Sequence, residues 1–298
     1  MSIVAISETA GSGAIEIGRA LAAGLGYEFA DREIIEKAAE GYGEGVTALT
    51  HATEERPTLW ERITDTQRRY VTYVEATILG LAAHDNIVLA GRASTIVLSH
   101  VPHALRIRIT ASERTRIERL EHQLGLVHDA AADYVRRIDR ERAARVKFIY
   151  QVDVDDALLY DLVLNTDRLS VAQCVAMTRE ALGDDRVQST AASRQAVLDL
   201  SLAARAKAAL LANPSTRPLL LSVDCRDAVV TLSGSVRTQQ DRSTAEETVT
   251  KVTGVREIVN RIIAPWLSGD LEDLSHGQFR HGDERTWGGY GGEPKHRE

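Results

Sequence analysis

The stretch "ETAGSGAIEIG" at residues 8–18 directly follows the apolar run "SIVAIS". A strand, a glycine-rich turn and a helix start in that order can surround an anion, because successive backbone N–H groups and the helix N-terminus converge on one place. Gly11 and Gly13 supply close-approaching backbone around Ser12. Set against the phosphate-loop pattern GxxxxGK[ST], the first glycine position holds Glu8, the lysine position Ala14 and the hydroxyl position Glu16. The expected cofactor-binding set is therefore Gly11, Ser12, Gly13, Ala14 and Glu16, a backbone cradle without the usual side chains. A tight strand-to-helix turn with no ligand uses the same glycines equally well.

Other residue types in the chain carry chemistry less sharply. Arg92 follows Gly91 at the end of "NIVLA", and ligands of open α/β sheets bind at the C-terminal ends of buried strands. Glu16 repels phosphate unless it binds magnesium or pairs with Arg19 one turn on; it also suits a helix start as an acid on the macrodipole. Asp31 is a helix cap or a substrate-side acid, with the cap preferred. "DVDD" at 153–156 reads as a solvated turn before it reads as a magnesium cluster. His51, His84 and His128 stand alone in the sequence, and the tail histidines His276, His281 and His296 are too widely spaced for a defined metal site. Cys174 and Cys225 match no metal spacing and read as ordinary buried thiols. No metal-binding residue is expected.

The chain has 298 residues, 44% hydrophobic and 27% charged, with a net charge of -7. That length predicts more than one domain, and the acidic balance argues against general nucleic-acid binding. From Arg106 to Lys147, however, eleven Arg or Lys face seven Asp or Glu, a local surplus that attracts an anionic ligand. The N-terminus reads as a first strand rather than a secretory signal. "VTYVEATILGLAA" at 71–83 is too short, and too interrupted by Glu75, for a membrane span. A cytoplasmic protein is expected.

The elements that must position these residues alternate in a βα rhythm over 1–182, the pattern of a parallel sheet flanked by helices. Strands are expected at "IVAIS", "YEFA", "NIVLA", "ALRIRIT" and "YDLVLNT". Asp31, Ser112, Asp129 and Ser170 stand as N-caps before helical patterns, and a longer helix is expected from near Pro57 to about Ala83. Residues 183–196 read as a linker and 197–264 as a compact αββαβ unit. Residues 265–298, rich in Gly and charge, read as a disordered tail.

The run from "IVAISETAGSG" to "DREIIEKAAE", followed by "NIVLAGRAS", "LRIRITASERTRIERL", "RRIDRERAARV" and "LYDLVLNTDRLS", resembles the cytidylate kinase-like family, a divergent branch of the P-loop nucleoside monophosphate kinases. That branch typically has a GSGG-type loop lacking lysine. Here Gly11, Ser12, Gly13, Glu16, Ile17 and Asp31 match, while Ala14 and Ile15 depart. The resemblance implies a P-loop-type parallel five-stranded sheet with a mobile, arginine-bearing lid. It further implies ATP and magnesium as cofactors, and ATP-dependent phosphorylation of a pyrimidine nucleoside monophosphate. Arg92 falls on the family's monophosphate-positioning arginine, although Ala93 replaces the aspartate that follows it. Arg114, Arg116 and Arg119 lie after the fourth strand, and Arg137, Asp139 and Arg142 resemble the lid pattern with one acid shifted. The expected catalytic set is Arg92, Arg114, Arg137 and Arg142. Arg114 and Arg137 also read as solvated partners of Glu118 and Asp133.

Residues 197–264, with "VVTLSGSV", Gly234, Ala245, Gly254, Val255 and Asn260, resemble a BON domain, an αββαβ module of bacterial stress and envelope proteins. That resemblance implies a phospholipid or protein partner. Two alternatives to an active kinase follow: a catalytically impaired nucleotide sensor reporting through the BON unit, and a BON scaffold whose first domain only supports it. Oligomerisation stays open.

Overall fold

The computed structural model describes residues 2–54 and 65–264. The expected helix start near Pro57 and the expected disordered tail lie outside the described residues. Among the described residues no helix is long and apolar enough to cross a membrane.

The first part of the chain runs β1 (Ile3–Glu8), α1 (Ala14–Leu25), β2 (Glu28–Ala30), α2 (Glu33–Tyr42), α3 (Val46–Glu54), α4 (Asp65–Ala82), β3 (Ile87–Ala90) and α5 (Ser94–Val97). It continues through β4 (Ala104–Thr110), α6 (Glu113–Leu124), α7 (His128–Tyr150), β5 (Leu162–Asn165) and α8 (Val171–Leu182). The strands form one sheet in the order β2-β3-β1-β4-β5, and every adjacent pair is parallel. All five lie where their β-branched runs place them.

Both sheet faces are covered, which is why β1 and β3 read as continuous apolar runs. On one face Val4, Ile6 and Val88 pack with Ile17 and Leu21 of α1 and Cys174 of α8. On the other, Ile3, Ala5 and Leu89 pack with Ile34 of α2, Leu49 of α3 and Tyr73 of α4. Tyr42 stacks on Tyr73 with ring centroids 4.1 Å apart.

The caps sort cleanly. Ser112 and Ser170 accept the backbone N–H groups of Thr115 and Gln173, as their types predict. Asp31 does not cap α2. Arg32 occupies that position in helical geometry, and the Asp31 N–H donates to Glu33 Oε2 at 3.0 Å, so the Asp31 carboxylate is left for another use. Asp129 sits inside the first turn of α7, whose cap is Val127; there it complements the macrodipole.

The remainder folds as α9 (Ala191–Ala212), β6 (Leu221–Arg226), β7 (Val229–Ser235), α10 (Gln239–Thr250) and β8 (Glu257–Ile263), the αββαβ order. β7 is the central strand, antiparallel to β6 and parallel to β8. Gly234 has φ +134° and sits where an added Cβ would lie 2.8 Å from the Leu220 carbonyl oxygen. The C-cap of α10 is Lys251, and Gly254 follows in left-handed backbone at φ +98°.

α9 begins inside the segment that reads as a linker, with Thr190 and Ser193 forming a capping box. It serves two cores at once. Val197 and Ala208 are buried with Tyr73 and Ile78 against the five-stranded sheet, while Leu202, Ala206 and Leu210 are buried with Val230 and Leu232 of the smaller sheet. Asp199 of α9 accepts the N–H groups of Asp227 and Ala228 at 2.9 and 3.0 Å, fixing the β6–β7 turn to the helix.

Candidate functional site

The loop between β1 and α1 is held by arginines that arrive from α6. Arg116 of α6 donates through Nη1 to the Ala10 carbonyl at 3.1 Å and through Nε to the Ala111 carbonyl at 3.0 Å. Arg119, one turn on, donates through Nη1 to the Ser12 carbonyl at 3.1 Å and to Thr166 Oγ1 at 2.8 Å, and through Nη2 to the Thr166 carbonyl at 2.7 Å. The Ala10 N–H donates to Asp139 Oδ1 of α7 at 2.9 Å, and Asp139 Oδ2 accepts Arg116 Nη1. The Ser12 hydroxyl is buried and makes no hydrogen bond among the described residues.

Gly11 and Gly13 both take positive φ, +77° and +81°. At Gly11 a Cβ would lie 2.8 Å from the Arg116 carbonyl oxygen. The close approach of α6 therefore requires this glycine independently of any ligand. Gly13 is the left-handed N-cap of α1; Ile17 is bonded back to its carbonyl, leaving the first-turn amides of α1 directed out of the helix end.

Beside the loop, over the C-terminal ends of β1 and β3, lies a cavity of about 510 Å³. That volume suits a small-molecule ligand. Glu8, Asp31, Arg92, Arg137 and Arg142 line it. Arg92 and Ala93 both take left-handed backbone, φ 55° and 59°, a conformation costly for residues with a side chain and concentrated at functional sites. Arg142 Nη2 donates to Glu8 Oε1 at 2.9 Å. Burial holds the Glu8 carboxyl above its ordinary value, with Arg142 pulling it back. Burial likewise raises Asp31, against the pull of Arg92 and Arg32. At the far end Tyr150 of α7 hydrogen-bonds to Glu75 of α4, and Glu75 also feels the charge of Lys207 on α9.

Of the residues singled out from sequence, the structure brings Arg92, Arg137 and Arg142 to one cavity and Gly11, Ser12, Gly13 and Ala14 to one turn. Arg137 stands over the Tyr134 ring and pairs with Glu141 at 3.6 Å, not with Asp133. Arg114 does not reach the cavity: its side chain is 87% exposed and pairs with Glu118 at 2.8 Å across one turn of α6. Ala14 is buried and Glu16 is exposed in the first turn of α1. No ion pair joins Glu16 to Arg19 among the described residues; Arg19 lies over the Phe29 ring. Glu8 and Tyr150 line the cavity and are site groups that the sequence reading misses. Glu8 gave the one available signal, as a charge at a loop position that favours glycine.

The remaining candidates are structural. Asp155 pairs with Arg108 at 2.6 Å and Asp156 caps a short turn, which makes "DVDD" a turn. His128 pairs with Glu121 on the surface. His103 is fully buried and bonded to Asp85 at 2.8 Å. Among the described residues no group of three or more His, Cys, Asp or Glu is arranged to hold a metal. Cys174 is buried and Cys225 half-buried, both free thiols; burial, with Asp199 beside it, pushes the Cys225 thiol up to about 11.

Residues 3–168 match the model of the cytidylate kinase-like family, and residues 199–264 match that of the BON domain. The cytidylate kinase of Pyrobaculum calidifontis is 28% identical over 180 residues, covering 60% of this chain and 91% of that one. That of Methanopyrus kandleri is 27% identical over 190 residues, covering 60% and 92%. With the cytidylate kinase of Thermoplasma acidophilum identity is 33% over 88 residues, 29% of this chain, and the chain spans 47% of that relative's length. A solved structure of an uncharacterized protein from Eubacterium ventriosum superposes with a TM-score of 0.50 at 17% identity, covering 61% of this chain and 98% of that one; the likeness is one of fold. A parallel five-stranded sheet, a glycine turn after its first strand and arginines of α6 and α7 around that turn thus coincide with a family match over more than half of the residues, and the chain belongs to the cytidylate kinase-like family, with a BON domain at residues 199–264.

Proposed function

We propose that the protein transfers the γ-phosphoryl group of ATP to a nucleoside monophosphate, a pyrimidine nucleotide by analogy with the relatives named cytidylate kinase. The observation that carries this reading is Arg119. It is fixed against the loop by hydrogen bonds to carbonyls and a hydroxyl, and no carboxylate among the described residues neutralises it. A half-buried cation so placed restores the charge that Ala14 removes, and an anion is its natural complement. Phosphoryl transfer consists mostly of positioning and charge stabilisation, for which an arginine can serve. On this reading the loop amides and Arg119 hold the ATP phosphates, while Arg92, Arg137 and Arg142 hold the monophosphate in the cavity beside them.

The residues fit ATP better than they fit a protein-held magnesium ion. The loop offers no hydroxyl at the usual metal position, where Glu16 stands exposed instead. No step is assigned to a protein-bound metal; any magnesium arrives with the nucleotide, held chiefly by its phosphates. A cytoplasmic location, where ATP is available, goes with this reading. The test is phosphorus NMR of the full chain with Mg-ATP and a panel of nucleoside monophosphates. Formation of ADP and the matching diphosphate, lost in Arg92→Ala, supports the reading; unchanged spectra from folded protein defeat it.

A second reading, a nucleotide sensor, draws on the bond between Tyr150 at the end of α7 and Glu75, with Lys207 of the shared helix α9 nearby. Movement of the lid would then be felt by the BON domain and its lipid or protein partner. If nucleotide changes neither thermal stability nor flotation of the full chain with phospholipid vesicles, this reading fails.

A further inference from the structure

We propose that Asp139 is an internal stand-in for a phosphate group, latching the lid onto the loop until an incoming anion displaces it. This regulation rests on the reading of the loop as a phosphate site. The Asp139 carboxylate takes one hydrogen bond from a loop amide, Ala10 N–H at 2.9 Å, and another from the Arg116 guanidinium. Backbone amide and guanidinium are the donors that a phosphate oxygen uses in such cradles.

Arg116 does not need Asp139 to stay in place. It is buried, with Nε on the Ala111 carbonyl and Nη1 on the Ala10 carbonyl. With Asp139 withdrawn, a fixed cation and a loop N–H would still face the same point, now without an anion. Asp139 rides on α7, which also presents Arg137, Arg142 and Tyr150 to the cavity. Displacement therefore removes one of two ties between α7 and the β1 end of the loop, the other being Arg142 on Glu8, so filling the loop loosens the helix that carries the acceptor-side arginines. The opposing account is that Asp139 only orients Arg116 and helps it bind anions.

The two accounts predict opposite signs. Titration calorimetry of the full chain with inorganic pyrophosphate and with ADP would compare wild type, Asp139→Asn and Asp139→Ala. The latch predicts at least about tenfold tighter pyrophosphate binding in both variants, because the competing internal anion is gone. Equal or weaker binding overturns it. Should the variants fold poorly, hydrogen exchange on the wild type decides: pyrophosphate should raise exchange within residues 128–142 if it displaces the latch, and unchanged or lowered exchange there overturns it. Wild-type turnover with no tightening in the variants would sink the latch and leave the proposed activity standing. Tighter pyrophosphate binding without phosphoryl transfer would support the latch and defeat the activity.

Discussion

Arg119 and Thr166 hold each other through two hydrogen bonds, Nη1 to Oγ1 at 2.8 Å and Nη2 to the carbonyl at 2.7 Å, and the Thr166 hydroxyl donates in turn to the Ser12 carbonyl at 2.8 Å. The end of β5, the lid helix α6 and the β1–α1 loop are thereby tied at one hydroxyl. Thr166 is buried. Thr166→Val keeps the shape and removes the hydroxyl, taking one hydrogen bond from the Arg119 guanidinium and one from the Ser12 carbonyl, which still bond to each other. The expected cost is about 1–3 kcal/mol of stability, read by urea unfolding. If Arg119 also carries the phosphate charge, the KM for ATP rises more than the KM for the acceptor; an equal change in both would reduce Thr166 to a purely structural tie.

The arginines divide by position. Arg92→Ala removes a cavity cation held in left-handed backbone, and turnover should fall by about a hundredfold or more, as loss of a charge aimed at a developing anion does. Arg114→Ala removes an exposed surface pair, with an expected effect on stability within about 0.5 kcal/mol and no effect on turnover. Steady-state kinetics on the two variants check the division. A large loss in Arg114→Ala would mean that the lid closes further than the distances show.

The strands and two of the four expected caps were legible because their signals are local: apolar runs between turns, and Ser112 and Ser170 before helices. Asp31 misled because an Asp before a helical pattern reads as a cap, yet here Arg32 takes the cap position and Asp31 lines the cavity. Gly11 was legible as a glycine requirement but not as to its cause, since the neighbour that excludes a Cβ, the Arg116 carbonyl, lies more than a hundred residues on. The division of labour among Arg114, Arg116 and Arg119 depends on the face of α6 that meets the loop. That is a tertiary fact: all three side chains are equally charged in the sequence.

Glu75 makes stability depend on pH with a definite sign. Burial holds its carboxyl above the ordinary value of 4.5, while Lys207 and the Tyr150 hydroxyl pull it back. A raised acid keeps its proton in the fold at pH values where the unfolded chain has lost it. Its contribution is therefore full below 4.5 and declines as pH rises through the folded value. Glu8 and Asp31 act in the same direction. Glu75→Gln keeps an acceptor for Tyr150 and removes the titration, so its thermal midpoint should fall less than that of wild type between about pH 5 and about pH 8. Parallel midpoint curves for the two proteins would show that Glu75 does not titrate in that range.

The shared helix α9 makes a prediction about how the two parts unfold. Val197 and Ala208 belong to the core against Tyr73 and Ile78, while Leu202 and Leu210 belong to the smaller core. Val197→Ala should cost on the order of 2 kcal/mol through lost burial and the cavity left behind. Leu202→Ala should cost about 2–5 kcal/mol. A helix joined to both cores transmits each loss to the other, so a single cooperative transition is expected for the wild type. Either variant should then shift near-UV and far-UV circular dichroism midpoints together. Two independent transitions, with Leu202→Ala moving only one of them, would mean that α9 is a tether and not a common wall. The outcome also bears on function, because Lys207 on this helix is the charge that acts on Glu75, the partner of Tyr150. Only a helix that moves with both cores could carry a lid displacement from Tyr150 to the second sheet.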